Sequence, residues 1–226
     1  TTINETLRQR CIALGVAGDR VMALPDGCAP RAALSKEDAR ATLGLSDSPL
    51  IVHLGVMHKA DAALLFEAYR IVLRRLPRAR LVLVGPYAGT VPADLRSIVH
   101  RTGYVDGPTM QQWLAAADIG VIPFRDTIAN RGRWPGKLSE YLAAGLPVAM
   151  PAVGSAAELI AGAGAGAVCE PTADRLGSLV ADTLLDEAAR ARMAVEARRL
   201  AAGELAWGRI AQRLLSFYDT WSTARV

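Results

Sequence analysis

Three lysines and a short run of small and basic residues are where this sequence concentrates its capacity for chemistry. Lys137 and Glu140 stand three residues apart behind Pro135 and Gly136, inside the stretch from Arg131 to Glu158. A proline near the first helical position, a helix, a short strand, a glycine turn and a second helix start are what that stretch spells. Backbone amides at such helix starts are unpaired and sit at the positive end of the helix dipole, so they favour an anion, and Lys137, Arg131 or Arg133 can add charge to it. The plainer reading of Lys137 with Glu140 is an i,i+3 ion pair on one helix face, worth a few tenths of a kcal/mol. A second loop, Gly55 to Lys59, follows an apolar run and carries His58 beside Lys59, where a point charge can face phosphate.

Two other nucleotide-like patterns fail on context. Gly162-Ala-Gly164-Ala-Gly166-Ala167 matches the loose dinucleotide fingerprint, but it follows a helix and precedes a strand, the reverse of the strand-turn-helix order that points amides at a pyrophosphate. Gly132 to Lys137 imitates a phosphate-binding loop, yet its first glycine is one residue too close and Leu138 stands where Ser or Thr would hold magnesium. Ser155-Ala-Ala-Glu158 reads as a capping box, with Glu158 structural. Trp113 and Trp207 fall among apolar helical positions and read as core or interface residues, and Gly85 to Gly89 as a strand-helix turn near a base or ribose.

The elements that must position these residues alternate between β-branched runs and amphipathic helices, the pattern of a parallel sheet wound through right-handed crossovers. Strands are expected at residues 21–24, 50–54, 81–84, 118–122, 148–150 and 167–169, with a short one at 104–105. Most are continuous apolar runs, as befits strands covered on both faces. Helices are expected at 60–76, 93–101, 109–117, 135–144 and 155–161, then at 188–202 and 204–221, with an amphipathic helix at 2–14 opening the chain. The fold class is therefore α/β, a Rossmann-like doubly wound parallel sheet of about six strands, whose ligands sit at the strand-to-helix junctions.

Composition agrees. The 226 residues are 51% hydrophobic and 21% charged, enough for a buried core in one large domain. Mean hydropathy is +0.20, yet no long stretch is free of charge, so neither a membrane span nor a signal peptide is read, and a cytoplasmic location is expected. The net charge of +4 is spread through the helices, and aromatics are only 5%, which argues against a nucleic-acid partner. Cys11, Cys28 and Cys169 lack metal-ligand spacing and read as reduced thiols. No acidic metal cluster is visible.

The run P-G-K-L-S-E-Y-L-A-A-G-L-P-V from Pro135 to Val148, followed by V-G-S-A-A-E-L-I from Val153, resembles the donor-site signature of GT-B glycosyltransferases, particularly the retaining family-four group. Val21 to Gly27 resembles the family's hinge, Ile51 to Gly55 with Lys59 its first strand and phosphate loop, Arg80 to Gly85 its second strand, Gln112 to Asp118 the helix before the fourth, and Trp207 to Tyr218 its closing helix. The resemblance spans about residues 15 to 220 and implies only the C-terminal, donor-binding domain of a two-domain enzyme. Residues 1–28 would lead in from a missing N-terminal acceptor domain, 29–203 would bind the nucleotide sugar, and 204–226 would cross back, leaving Leu214, Leu215, Phe217 and Trp221 short of a partner.

The same resemblance makes Glu140 the second acid of an E-x7-E motif, the ribose clamp, and Lys59 the lysine facing the donor diphosphate. Gly55, His58, Arg131, Arg133, Pro135, Gly136 and Lys137 complete the implied donor-binding set; no catalytic residue is assigned. Two departures stand out: Val56 replaces the arginine that often follows the first-strand glycine, and Gly132 replaces the first, sugar-contacting acid. Arg131 or Arg133 can make good the phosphate contact, and Asp126 or Asn130 the sugar contact. The implied activity is transfer of a glycosyl group from a nucleoside diphosphate sugar to an acceptor hydroxyl, with retention, in the complete enzyme; the half alone should bind without turnover. The pattern requires neither cofactor nor metal, and the resemblance allows a peripheral membrane association of the full-length enzyme. The rivals are a degenerate, non-catalytic GT-B-like module, a GT-B nucleotide-sugar epimerase, a phosphorylase, and a basic nucleic-acid binder.

Overall fold

In a computed structural model, which describes residues 1–31 and 34–222, six strands form one all-parallel sheet in the order β3-β2-β1-β4-β5-β6. In chain order the elements are α1 (Glu5–Ala13), α2 (Lys36–Thr42), β1 (Leu50–Leu54), α3 (Lys59–Arg75), β2 (Arg80–Val84), β3 (Val99–Gly103), α4 (Gly107–Ala116), β4 (Ile119–Val121), a one-turn α5 (Ile128–Arg131), α6 (Gly136–Ala144), β5 (Val148–Pro151), α7 (Ser155–Ala163), β6 (Gly166–Cys169), α8 (Ala173–Leu185), α9 (Glu187–Ala202) and α10 (Trp207–Ser222). The chain runs outward from β1 to β3 and then returns to β4, so the order reverses between β1 and β4. In a parallel α/β sheet a ligand crevice opens at that reversal, beyond the carboxyl ends of the strands.

Alternation along each strand feeds two cores. Leu50, Val52, Leu54, Val82 and Val84 pack with Leu114, Tyr141 and Leu142 on the α4–α6 side, while Ile51, Leu81 and Leu83 meet Phe66, Tyr69 and Val72 of α3 and Leu176 and Val180 of α8. The Tyr141 hydroxyl is buried with its ring and donates to the Val52 carbonyl at 3.4 Å, while accepting from the Leu54 amide at 2.8 Å. Helix α6 is thereby locked to the end of β1. The Rossmann-like expectation is met, and the strands at 50–54, 81–84, 118–122, 148–150 and 167–169 all appear within two residues of their expected bounds.

Other expectations are corrected. Residues 21–24 are not a sheet strand; they make an isolated parallel bridge between Thr2 and Ala23. Where a helix was read at 93–101, a single 3₁₀ turn (Ala93–Leu95) leads into β3, and 104–105 lies beyond it. β3 is an edge strand with one buried residue, Val99, so it lacks the apolar run by which the inner strands announce themselves. Helix α1 is shorter than read and contains no buried residue, so it is not amphipathic toward the core. Helix α2 was not expected. Along α10 Ile210 is buried, but Leu215 and Tyr218 are 62% and 56% exposed, as the unpartnered apolar face requires; the Trp221 side chain lies outside the described residues. Among the described residues no helix is long and apolar enough to cross a membrane.

Candidate functional site

Three helices begin at the crevice, and all three begin without a cap. The N-cap residues of α3, α6 and α7 are His58, Pro135 and Gly154, and none supplies a side-chain hydrogen bond to its helix. The N-termini of α1, α2, α4, α5, α8 and α9 are each capped by a side chain: Asn4, Ser35, Asp106, Thr127, Thr172 and Asp186. An uncapped start leaves amide donors unpaired, and an anion is the group that satisfies them. Two further donors there are orphaned: Trp134 Nε1 and Ser155 Oγ are buried with no partner among the described residues. Ser155 is the first residue of α7 and not its cap, so the capping box read at Ser155–Glu158 does not form, and Glu158 is exposed.

The loop after β1 is shaped by glycine. Gly55 has φ +78°, its amide donates to the Val84 carbonyl at 2.7 Å, and a Cβ on Gly85 would lie 3.0 Å from the Gly55 Cα. The β1 and β2 loops therefore touch backbone to backbone, which turns the β1 loop toward β4.

Charge enters from the β4 side. Lys137, on the first turn of α6, reaches over the sheet edge to place Nζ 3.1 Å from His53 Nε2 and 3.4 Å from the carbonyl of Val56. His53 is a buried polar residue in β1, and its Nδ1 lies 3.2 Å from the Val121 carbonyl. That carbonyl can only accept, so Nδ1 carries the proton and Nε2 accepts from the lysine. Burial, with Lys137 adding to it, pushes the His53 pKa down to about 3, and burial, with Arg133 adding to it against the pull of Asp61, pushes Lys137 down to about 8. Arg133 crosses the crevice, with a guanidinium nitrogen 2.7 Å from His58 Nε2 and its carbon 5.8 Å from the centre of the Phe124 ring. The two positions that can compensate for Val56 are thus Arg133 and Lys137. Arg131 is not: it grips Asp126 through two bonds of 2.6 and 2.7 Å at the surface.

Other expected residues are dispersed. Lys59 is exposed at the start of α3 and lines a separate cleft of about 950 Å³ with Val56, Phe66 and Tyr87. Asn130 is buried, its amide spent on the Arg125 carbonyl at 2.9 Å and on Asp61 at 3.4 Å, so neither it nor the paired Asp126 is free to replace the acid absent at Gly132. Glu140 does not pair with Lys137. Its Oε2 accepts from Arg31 at 2.6 Å, at a groove between α4 and α6 that Gln111 and Leu114 also line. The sequence reading missed His53, Asp61 and Arg31; of these only His53 left a signal, as a lone polar residue within an apolar strand. Among the described residues no three His, Cys, Asp or Glu side chains gather as metal ligands.

An anion-receptive crevice at the reversal of a parallel sheet, with the strand order found here, defines a nucleotide-binding α/β domain. The profile of the family described as Glycosyl transferases group 1 matches residues 48–186, and the chain belongs to that family. No curated protein sequence matches it. Among solved structures it is similar to WaaG, a glycosyltransferase involved in lipopolysaccharide biosynthesis, at 23% identity over 85% of this chain and 55% of that one, with a TM-score of 0.65. HepE from Anabaena, solved with UDP and glucose, is 16% identical over 96% of this chain and 62% of its own, with a TM-score of 0.72. The C-terminal domain of the glycosyl transferase LpcC from Francisella tularensis is 18% identical over 77% of this chain and 94% of that domain, with a TM-score of 0.58. The fold is that of the C-terminal domain of GT-B glycosyltransferases. The chain spans 55% of WaaG and 62% of HepE.

Proposed function

We propose that the crevice between the β1 loop and the starts of α6 and α7 binds the diphosphate of a nucleotide sugar, and that the chain serves as the donor half of a glycosyltransferase. The convergence of three uncapped helix starts on a site that also holds Arg133 and Lys137 carries this reading. The amides and the two cations would offset the charge that builds on the departing nucleoside diphosphate as the glycosidic bond breaks. Glu140 would receive the ribose hydroxyls through Oε1 while Arg31 holds Oε2. HepE, with UDP and glucose in its structure, supports a nucleotide-sugar ligand. Transfer to an acceptor hydroxyl, with retention, would need an acceptor-binding domain opposite the crevice, and this half alone would bind without turnover.

Calorimetric titration with UDP, GDP, ADP and dTDP tests the reading. One diphosphate should saturate the site with a Kd on the order of 10 µM to 1 mM, and Glu140→Ala should weaken it at least tenfold while remaining folded. Absence of binding by all four at millimolar ligand would sink it. A second reading, a non-catalytic binding module, is favoured by Val56 and Gly132, where two family contacts are lost. Release of sugar from the nucleotide that binds, assayed with the full-length enzyme and acceptor, separates the two.

A further inference from the structure

The N-terminal segment reaches the donor crevice through one side chain. Asn4 is 2% exposed, and all its bonding is directed inward. Its Oδ1 accepts from the Leu7 amide at 2.9 Å, capping α1, while its Nδ2 donates to the carbonyls of Arg131 at 3.3 Å and Arg133 at 3.2 Å. No other side chain among the described residues is seen to bond either carbonyl. The contact spans 127 and 129 residues of sequence. Leu7 packs beside it: a Cβ on Gly132 would lie 3.2 Å from Leu7 Cδ2, so the position lacking the family's acid is covered by α1. The segment is itself anchored. Thr2 bonds the backbone of Met22 and Leu24 at 2.9 and 2.8 Å, and Arg8 donates to the carbonyls of Val21 and Gly18, each at 2.8 Å.

We infer that Asn4 is a positioning residue for the donor site: by holding the carbonyls of Arg131 and Arg133 it sets the path of the loop that presents Arg133 and starts α6. The inference rests on the crevice being the diphosphate site. A trans peptide points its N–H opposite its C=O, so pinning the Arg133 carbonyl also fixes the direction of the next amide, that of Trp134. Released, residues 131–135 would keep the one-turn helix α5 on one side and α6 on the other, but the arginine between them would lose its fixed approach to His58. Asparagine is the side chain this place demands, since it caps with its oxygen and donates twice with its nitrogen.

Asn4→Asp separates the two duties, because aspartate caps α1 as well as asparagine does but has no hydrogen to give and sets a carboxylate against two carbonyls. The experiment titrates the wild-type chain with UDP, GDP, ADP and dTDP, and then titrates Asn4→Asp and Ser35→Ala with whichever binds; Ser35→Ala removes the cap of α2 as a control for general destabilisation. The expected result is at least tenfold weaker binding by Asn4→Asp and less than twofold change in Ser35→Ala. Equal affinity of Asn4→Asp and wild type overturns the assignment and leaves the crevice reading intact; no binding by wild type overturns both. A second measurement needs no variant. Coupling is reciprocal, so saturating nucleotide should slow hydrogen exchange of the Leu7 amide severalfold. If Asn4→Asp fails to fold, unchanged exchange at Leu7 in the wild-type protein overturns the inference.

Discussion

Lys137 Nζ lies 3.1 Å from Nε2 of His53, so a partly buried ammonium is held against a neutral imidazole instead of a carboxylate. The imidazole accepts the hydrogen bond without cancelling the charge, and the cation is left for an incoming anion. Its low proton affinity, about 8, makes that charge sensitive to mild alkali. Diphosphate affinity should hold near neutrality and fall about tenfold as pH is raised from about 7.5 to about 9.5. Lys137→Met should bind weakly and without that dependence. Stability has the opposite sign. An unfolded lysine keeps its proton up to about 10.5 and the folded one loses it near 8, so between these values the unfolded chain binds more protons and wild type gains stability relative to Lys137→Met. Calorimetric titrations and urea unfolding of both proteins at several pH values check both signs.

His53 gives the acid side. Unfolded, it takes a proton near 6.5; folded, burial denies it one until about 3. Between those values the unfolded chain binds the extra proton, so stability is lost as pH falls, by about 1.4 kcal/mol per unit at most from this group. Glutamine at this position can still donate to the Val121 carbonyl and accept from Lys137 but has nothing to titrate. The unfolding free energy of His53→Gln should decline less steeply than that of wild type between pH 6 and pH 4. Parallel curves would show that His53 takes up its proton without unfolding.

The two arginines flanking Gly132 should behave differently although they are alike in sequence. Arg131 spends its guanidinium on Asp126 at the surface, and exposed pairs contribute at most about 1 kcal/mol. Arg133 is aimed across the crevice at His58. Arg133→Ala should therefore weaken nucleoside diphosphate binding about tenfold or more, roughly the loss of one charge-assisted hydrogen bond, while Arg131→Ala changes it less than threefold. Titration of the two variants side by side decides this, and equal losses would refute the assignment of Arg133.

The inner strands, helix α6 and the donor segment are legible because their signals are local. Pro135, Gly136, Lys137 and Glu140 lie within one helical turn or two, and runs such as Leu50–Leu54 declare strands buried on both faces. Edge strand β3, with Val99 alone buried, gives no such run and was taken for helix. Helix α2 is short and polar, although its Ser35 cap followed by Glu37 and Asp38 marks its start in retrospect. What surrounds the site was illegible for a different reason. The contacts of Lys137 with His53, Glu140 with Arg31 and Asn4 with the Arg131 and Arg133 carbonyls join residues 84, 109, 127 and 129 positions apart, and nothing in one sequence pairs them before the sheet is wound. The i,i+3 spacing of Lys137 and Glu140 misled because each had a better partner elsewhere.

Gly154 joins the backbone geometry of the crevice to its function. It precedes α7 with φ +72° and ψ 173°, a conformation open essentially to glycine, and a Cβ there would lie 2.9 Å from the Arg131 carbonyl oxygen. That oxygen also accepts from Asn4. An alanine would cost about 1–3 kcal/mol in backbone strain and would push on the carbonyl that fixes the donor loop. Gly164, at the C-terminus of the same helix, also has positive φ, but a Cβ there meets nothing nearer than Glu196 Cγ at 3.8 Å. Gly164→Ala should lose about 1 kcal/mol of stability and keep its nucleotide affinity, whereas Gly154→Ala should lose both. Thermal unfolding with calorimetric titration of the pair tests this. If Gly154→Ala is destabilised but binds as wild type does, the loop is not held through this contact, and the start of α7 tolerates displacement without consequence for the ligand.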